Sequence, residues 1–140
     1  MSQDLLQVGS AVLAAQPLSA LLGLQLLAYA ASETVIAVDL RPELTQQAGY
    51  AHGGVLSTLA DVALTFAGGA ALGPSVLTAG FTITFLRPAQ GQRLIARAGV
   101  IDATSRQAVC RCDIFTERDA QEYLAATALG TIRVGGPSAS

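Results

Sequence analysis

The sequence contains no lysine: all eight bases are arginine, they are outnumbered by ten acids, and no basic run forms. Nucleic acid is therefore not an expected partner. Histidine occurs once, at His52, and cysteine twice, at Cys110 and Cys112. No further Cys or nearby His completes a metal set, and two same-face neighbours on a strand read as buried free thiols. Neither metal nor cofactor is called for.

The N-terminus "MSQDLLQVGS" has an acid and no positive region, which argues against a secretory signal and points to the cytoplasm. The apolar stretch around "ALLGLQLLAYAA" is broken by Gln25 and falls short of the roughly 20 residues that a bilayer span needs. No membrane helix is expected. Charged residues are scarce, at 13% against 51% hydrophobic. So little polar surface on a chain of 140 residues points to burial between copies.

What is present reads as one domain, residues 1–134, followed by a tail, "GGPSAS", at 135–140. A short amphipathic helix over the first dozen residues ends at Pro17, and residues 19–30 and 34–40 read as strands. "RPELTQQAGYAHGG" has no period and should be an irregular loop. From Gly54 to Leu72 the apolar positions Val55, Leu56, Leu59, Ala63, Phe66 and Ala67 recur mostly at spacings of three and four, predicting a long buried helix. Four strand-like runs follow: "SVLTAGFTITFLRP", "QRLIARAGVID", "RQAVCRCDIFTE" and "EYLAATALGTIRV". The economical solution is α+β, an antiparallel sheet of about six strands curled around the central helix.

The stretch "GYAHGGVLSTLAD" holds the candidate chemistry. Gly53 and Gly54 stand where the long helix begins, with backbone N–H groups that have no partner inside the helix and no Cβ to block a ligand. The positive end of the helix dipole favours an anion or a developing oxyanion there. Asp61 is flanked by Leu59, Ala60, Val62, Ala63 and Leu64, so it either has a partner or faces a cavity, unless Ser57, Thr58, Asp61 and Thr65 form a solvated polar stripe. His52 is a candidate base or a residue that fixes the loop. Gly53 and Asp61 are eight positions apart, about 12 Å along one helix, too far to act on one carbonyl. Two antiparallel helices in a two-fold dimer would set Asp61 of one chain beside Gly53 of the other.

"AHGGVLSTLAD" followed by "TAGFTITFLRPAQG" resembles the hotdog-fold acyl-CoA thioesterases of the phenylacetate-degradation type, across roughly residues 40–135. The resemblance implies a sheet wrapped around a central helix, dimers joined sheet edge to sheet edge, and homotetramers built from two dimers. It implies that Asp61 is the catalytic carboxylate, as general base or nucleophile, and that the Gly53 amide polarises the thioester carbonyl, with Gly54 beside it. Gln46, or its neighbour Gln47, matches a side chain that hydrogen-bonds the thioester or orients water. Thr65 and Thr78 match hydroxyls near the attacking water. Arg87, Pro88 and Arg106, the last in the turn "DATSRQ", match coenzyme A contacts, and Leu56, Leu59 and Phe66 are contributors to an acyl pocket.

The expected reaction is hydrolysis of an aryl- or short- to medium-chain acyl-CoA to the acid and free coenzyme A. A non-catalytic acyl-CoA binding module of the same fold is the alternative from another class, and a hotdog hydratase the alternative among enzymes. A phosphate-binding loop is excluded because no Lys-Ser or Lys-Thr follows the glycines.

Overall fold

The computed structural model describes residues 2–135. Helices α1 (Ser2–Ala15) and α2 (Pro17–Leu22) precede strands β1 (Gln25–Tyr29) and β2 (Thr34–Asp39). A 3-10 turn, Pro42–Leu44, opens the loop to α3 (Gly53–Leu72), and β3 (Val76–Phe85), β4 (Arg93–Ala103), β5 (Gln107–Arg118) and β6 (Gln121–Val134) complete the chain. The strands form one sheet in the order β1-β2-β4-β5-β6-β3, antiparallel at every pairing. Three strands separate β2 from β3, so the helix that joins them has to cross the sheet. This is the six-stranded α+β arrangement expected from the sequence. The expected tail lies, beyond Gly135, outside the described residues.

One expectation is corrected. Residues 19–30 do not form one strand: 19–22 belong to α2, and β1 starts only at Gln25. Pro17 ends the first helix, as expected, by holding Gln16 in an extended conformation (φ −81°, ψ 117°), but it also opens a second one, because its fixed φ suits the first helical turn. Gly23, at φ +82°, then stops α2 in a left-handed cap, with its N–H on the Ala20 carbonyl and the Leu24 N–H on that of Ser19. The Arg41 guanidinium satisfies the remaining carbonyls, donating to Leu22 at 2.8 Å and Leu21 at 3.0 Å. An apolar run with a Pro in front and a Gly behind is thus a helix by virtue of its ends.

By length and composition α3 is apolar enough to cross a bilayer, with a mean hydropathy of 1.6, a helix that the membrane reading above did not weigh. Its apolar side chains are instead consumed by the core. Leu59, Ala60, Ala63, Leu64 and Ala67 are fully buried with Ile36, Leu94, Ile114 and Ile132 of the sheet. The approach to β6 is close enough that a Cβ on Gly68 would lie 2.6 Å from that of Ile132. A helix apolar over most of its circumference is stable in water only under such a wrap.

Strand β3 departs from strict alternation. Thr78 pairs with Ile132 and Gly80 with Thr131, so Ala79 is an extra residue in a bulge. Strict alternation would set Thr78 and Phe81 on opposite faces; the bulge lets both turn toward α3. A second irregularity, between Ile114 and Phe115 opposite β6, frees the Ala125 carbonyl to accept from the amides of Leu86 and Arg87. The first bulge serves the Asp61 region and the second anchors the chain just after β3. β3 is also a sheet edge ten residues long, whereas the opposite edge, β1, has five residues and a bulge of its own.

Cys110 and Cys112 point into the core of β5, each with no exposed surface. Burial pushes the Cys110 thiol up to about 11, and burial together with the Asp113 charge pushes Cys112 up to about 12. Thiolate is the reactive form, so native protein should resist iodoacetamide at pH 8 and react fully only in denaturant. Stability has a matching pH dependence. Below about pH 9 the thiols are protonated in both folded and unfolded chains, whereas above it the unfolded chain loses protons that the folded chain keeps. The urea midpoint should fall as pH rises from 9 toward 11 and 12, and substitution of both cysteines by alanine should flatten that fall.

Candidate active site

The loop before α3 is irregular in outline, as expected, but tightly tied. Thr45 and Ala51 form an isolated bridge, the His52 N–H donates to Leu44, and the Ala51 N–H donates to the Ala89 carbonyl after β3. A turn closed by the Gly49 N–H on the Gln46 carbonyl lies inside this pinch. Buried Leu44 and Ala51 anchor it.

His52 is the N-cap of α3, extended at φ −67° and ψ 135°, and its Nδ1 accepts the Gly54 N–H at 2.9 Å. A nitrogen that accepts carries no proton, so the neutral ring holds its proton at Nε2. This is the loop-fixing role weighed above. Glycine at 54 is part of it, because a Cβ there would come within 3.0 Å of Nδ1. The Gly53 N–H, by contrast, has no acceptor among the described residues.

That free amide opens into a cleft of about 560 Å³ whose walls include Gln46, Gly53, Phe85, Arg87 and Pro88. Four candidate residues distant in sequence are thereby gathered. Gln46 is half-buried and lines the cleft, whereas Gln47 is exposed and is not among the residues of its wall. The Gln46 Oε1 accepts from the Ala48 N–H, leaving the amide nitrogen's donors unused among the described residues. Phe85, which sequence reasoning missed, stands over the glycine, with its ring 3.4 Å from where a Gly53 Cβ would lie. The signal was in the quoted "FLRP" run, read there only for its last two residues.

Asp61, Thr65 and Thr78 make a second cluster. The Thr78 hydroxyl donates to Asp61 Oδ1 at 2.7 Å and lies 2.6 Å from the Thr65 hydroxyl. The Thr65 hydroxyl also reaches the Asp61 carbonyl oxygen at 2.7 Å. Asp61, half-buried like Ser57, Thr58 and Thr65, therefore has the partner that its apolar neighbours called for. One carboxylate oxygen is held across from β3, and Oδ2 has no partner among the described residues.

The two clusters do not meet within the chain. They are about 12 Å apart along α3, and Thr78 and Phe85 are seven residues, about 23 Å, apart along β3. Arg87 and Arg106 are likewise separated. Arg87 donates to the Leu124 carbonyl at one end of β6, while the Arg106 carbonyl accepts from Val134 at the other. Of the expected acyl-pocket residues, Leu56 lines the Gly53 cleft, Phe66 lines a separate chamber beside α1, and Leu59 is fully buried against the sheet.

A family model for the thioesterase superfamily matches residues 48–123. Among solved structures, a thioesterase family protein from Silicibacter pomeroyi is 30% identical with a TM-score of 0.86, the match covering 94% of this chain and 98% of the other. The phenylacetic acid degradation protein PaaI from Thermus thermophilus, in a mutant form, is also 30% identical, with a TM-score of 0.74 over 85% of this chain and 99% of its own. PaaI of E. coli, 24% identical with a TM-score of 0.81 over 96% of each chain, shares the fold. No curated protein matches the chain. The free helix-terminal amide, the half-held carboxylate about two turns further along α3 and these matches agree: the chain belongs to the thioesterase superfamily, with the hotdog fold of its phenylacetate-degradation type.

Proposed function

We propose that the protein hydrolyses acyl-CoA thioesters at sites shared between two copies. The observation that carries this reading is the division of the site into two halves, each unfinished by itself. Among the described residues, one offers an amide donor without an acceptor, and the other offers a carboxylate with one oxygen held and one without a partner. A two-fold axis near the middle of β3 would set the Phe85 end of one copy beside the Thr78 end of the other, and with it Gly53 beside Asp61. The unpaired edge of β3 supplies the backbone groups for such a pairing. The same operation brings Arg87 of one copy toward the Arg106 end of the other, where two guanidinium groups suit coenzyme A phosphates. A homotetramer made from two such dimers remains part of the proposal.

In the composite site the Gly53 N–H and the dipole of α3 meet the negative charge that moves onto the thioester oxygen. Asp61 Oδ2 takes the proton of an attacking water, or adds to the carbonyl itself to give an anhydride that water opens. In either route the carbon–sulfur bond breaks and coenzyme A leaves as the thiol. Thr78 and Thr65 orient the carboxylate, Gln46 faces the thioester with its amide donors, and His52 and Gly54 keep the helix start in place. The test is thiol release over a panel of alkyl- and aryl-CoA thioesters, with free coenzyme A expected from at least one class. Tight acyl-CoA binding without any thiol release would favour the binding-module reading instead.

A further inference from the structure

We propose that a chamber between α1 and α3 receives the acyl group, and that this chain therefore selects apolar acyl groups of medium length over acetyl; the inference rests on the thioesterase reading above. The chamber measures about 480 Å³, within the range of small-molecule sites. Val8 and Val12 of α1 face Phe66, Gly69 and Ala70 of α3 across it, and Tyr29 stands at the end of β1.

Its place relative to the carboxylate makes the argument. Thr65, whose hydroxyl contacts both Asp61 and Thr78, is also part of the chamber wall. An acyl chain leaving a carbonyl held at Asp61 and running along α3 passes Thr65, reaches Gly69 one turn or about 6 Å later, and Gly73 after about 12 Å. Tyr29 and Phe66, with ring centroids 5.3 Å apart, form an apolar inner wall.

Gly69 is what keeps the space open. Its backbone does not require glycine, since its φ is not positive, and a Cβ there would sit 3.5 Å from the Tyr29 hydroxyl and from Val76 Cγ2, an ordinary contact. Anything longer would fill the chamber. The α1 wall is fixed, because Gly9 lies so close to β1 that a Cβ would be 2.7 Å from Leu26 and Tyr29 side-chain atoms. Yet Val8 and Val12 on that wall remain 62% and 50% exposed. These are apolar walls without an apolar filling, and each methylene buried there is worth about fourfold in affinity.

The test separates this inference from the catalytic one by reading binding. Calorimetry on the Asp61→Asn protein, compared with the same protein carrying Gly69→Leu or Val12→Trp, would measure affinity for octanoyl-CoA and acetyl-CoA. Octanoyl-CoA should bind at least about tenfold more tightly than acetyl-CoA, and both filling substitutions should erase most of that preference. Val12 is on the surface of α1, so its variant tests the chamber even where Gly69→Leu fails to fold. Equal affinities, or a preference that survives both substitutions, would overturn the chamber. Octanoyl preference erased by filling, combined with no thiol release from the wild-type protein, would uphold the chamber and remove the thioesterase reading.

Discussion

Replacement of Asp61 by alanine should lower thioester turnover by about 10²- to 10⁴-fold, the range expected for loss of a positioned base or nucleophile. Asp61→Asn should be nearly as inactive, and it is the more informative change. Its side-chain oxygen can still accept from Thr78, so the local geometry survives while the capacity to take a proton or attack a carbonyl is lost. Folding should be little affected by either change. Without the carboxylate, the Thr65 and Thr78 hydroxyls retain each other and the Asp61 carbonyl, so the cost is about 1 kcal/mol. Thiol release by soluble, correctly sized Asp61→Ala protein at more than about a tenth of the wild-type rate would remove Asp61 from the chemistry.

Gly53→Pro tests the other half. Proline is favoured at the first position of a helix, and the residue before it, His52, already has the extended conformation that a following proline requires. The substitution therefore keeps the helix start while it replaces the N–H by a ring carbon and sets the pyrrolidine against Phe85, and kcat should fall by at least about 10²- to 10³-fold, the loss expected for one oxyanion donor. Mixing then distinguishes a shared site from two separate ones. Refolding equal amounts of Asp61→Asn and Gly53→Pro chains together should place about half of them in mixed dimers, each with one intact site of two, restoring about a quarter of wild-type turnover. Chains that carry complete sites of their own would show no recovery. A mixture that stays as inactive as its components, while size-exclusion chromatography shows mixed dimers, would thus overturn the shared site.

How much of this was legible in the sequence depends on the distance over which each signal acts. The helix of α3 and the four strands after Pro74 were readable because periodicity is local, and a run of alternating or three-and-four-spaced apolar residues constrains its own conformation. Residues 19–22 misled because "LSALLGLQLLAY" is apolar without a decisive period, and what makes its first part helical is the pair Pro17 and Gly23 at its ends. Asp61 and Gly53 could be singled out because a carboxylate in an apolar helix and paired glycines at its start are conspicuous by themselves. Their spacing alone indicated that they do not share a site within one chain. Phe85 over Gly53, Thr78 on the Asp61 carboxylate, and the α1 wall of the chamber are products of strand order and of a bulge, which juxtapose residues far apart in the chain. Thr78 was named only through a family resemblance; the bulge at Ala79, which turns it and Phe81 to one face, left no mark in the hydrophobic pattern.

The unequal edges of the sheet bear on how far assembly can grow. Each chain offers one long edge, the ten residues of β3, while the edge at β1 is half that length and interrupted. When two copies pair through a two-fold axis, each edge is used up by its twin, and no long edge is left to recruit a third chain. Sheet extension would therefore stop at twelve strands, and any larger assembly would have to be built from faces instead of edges.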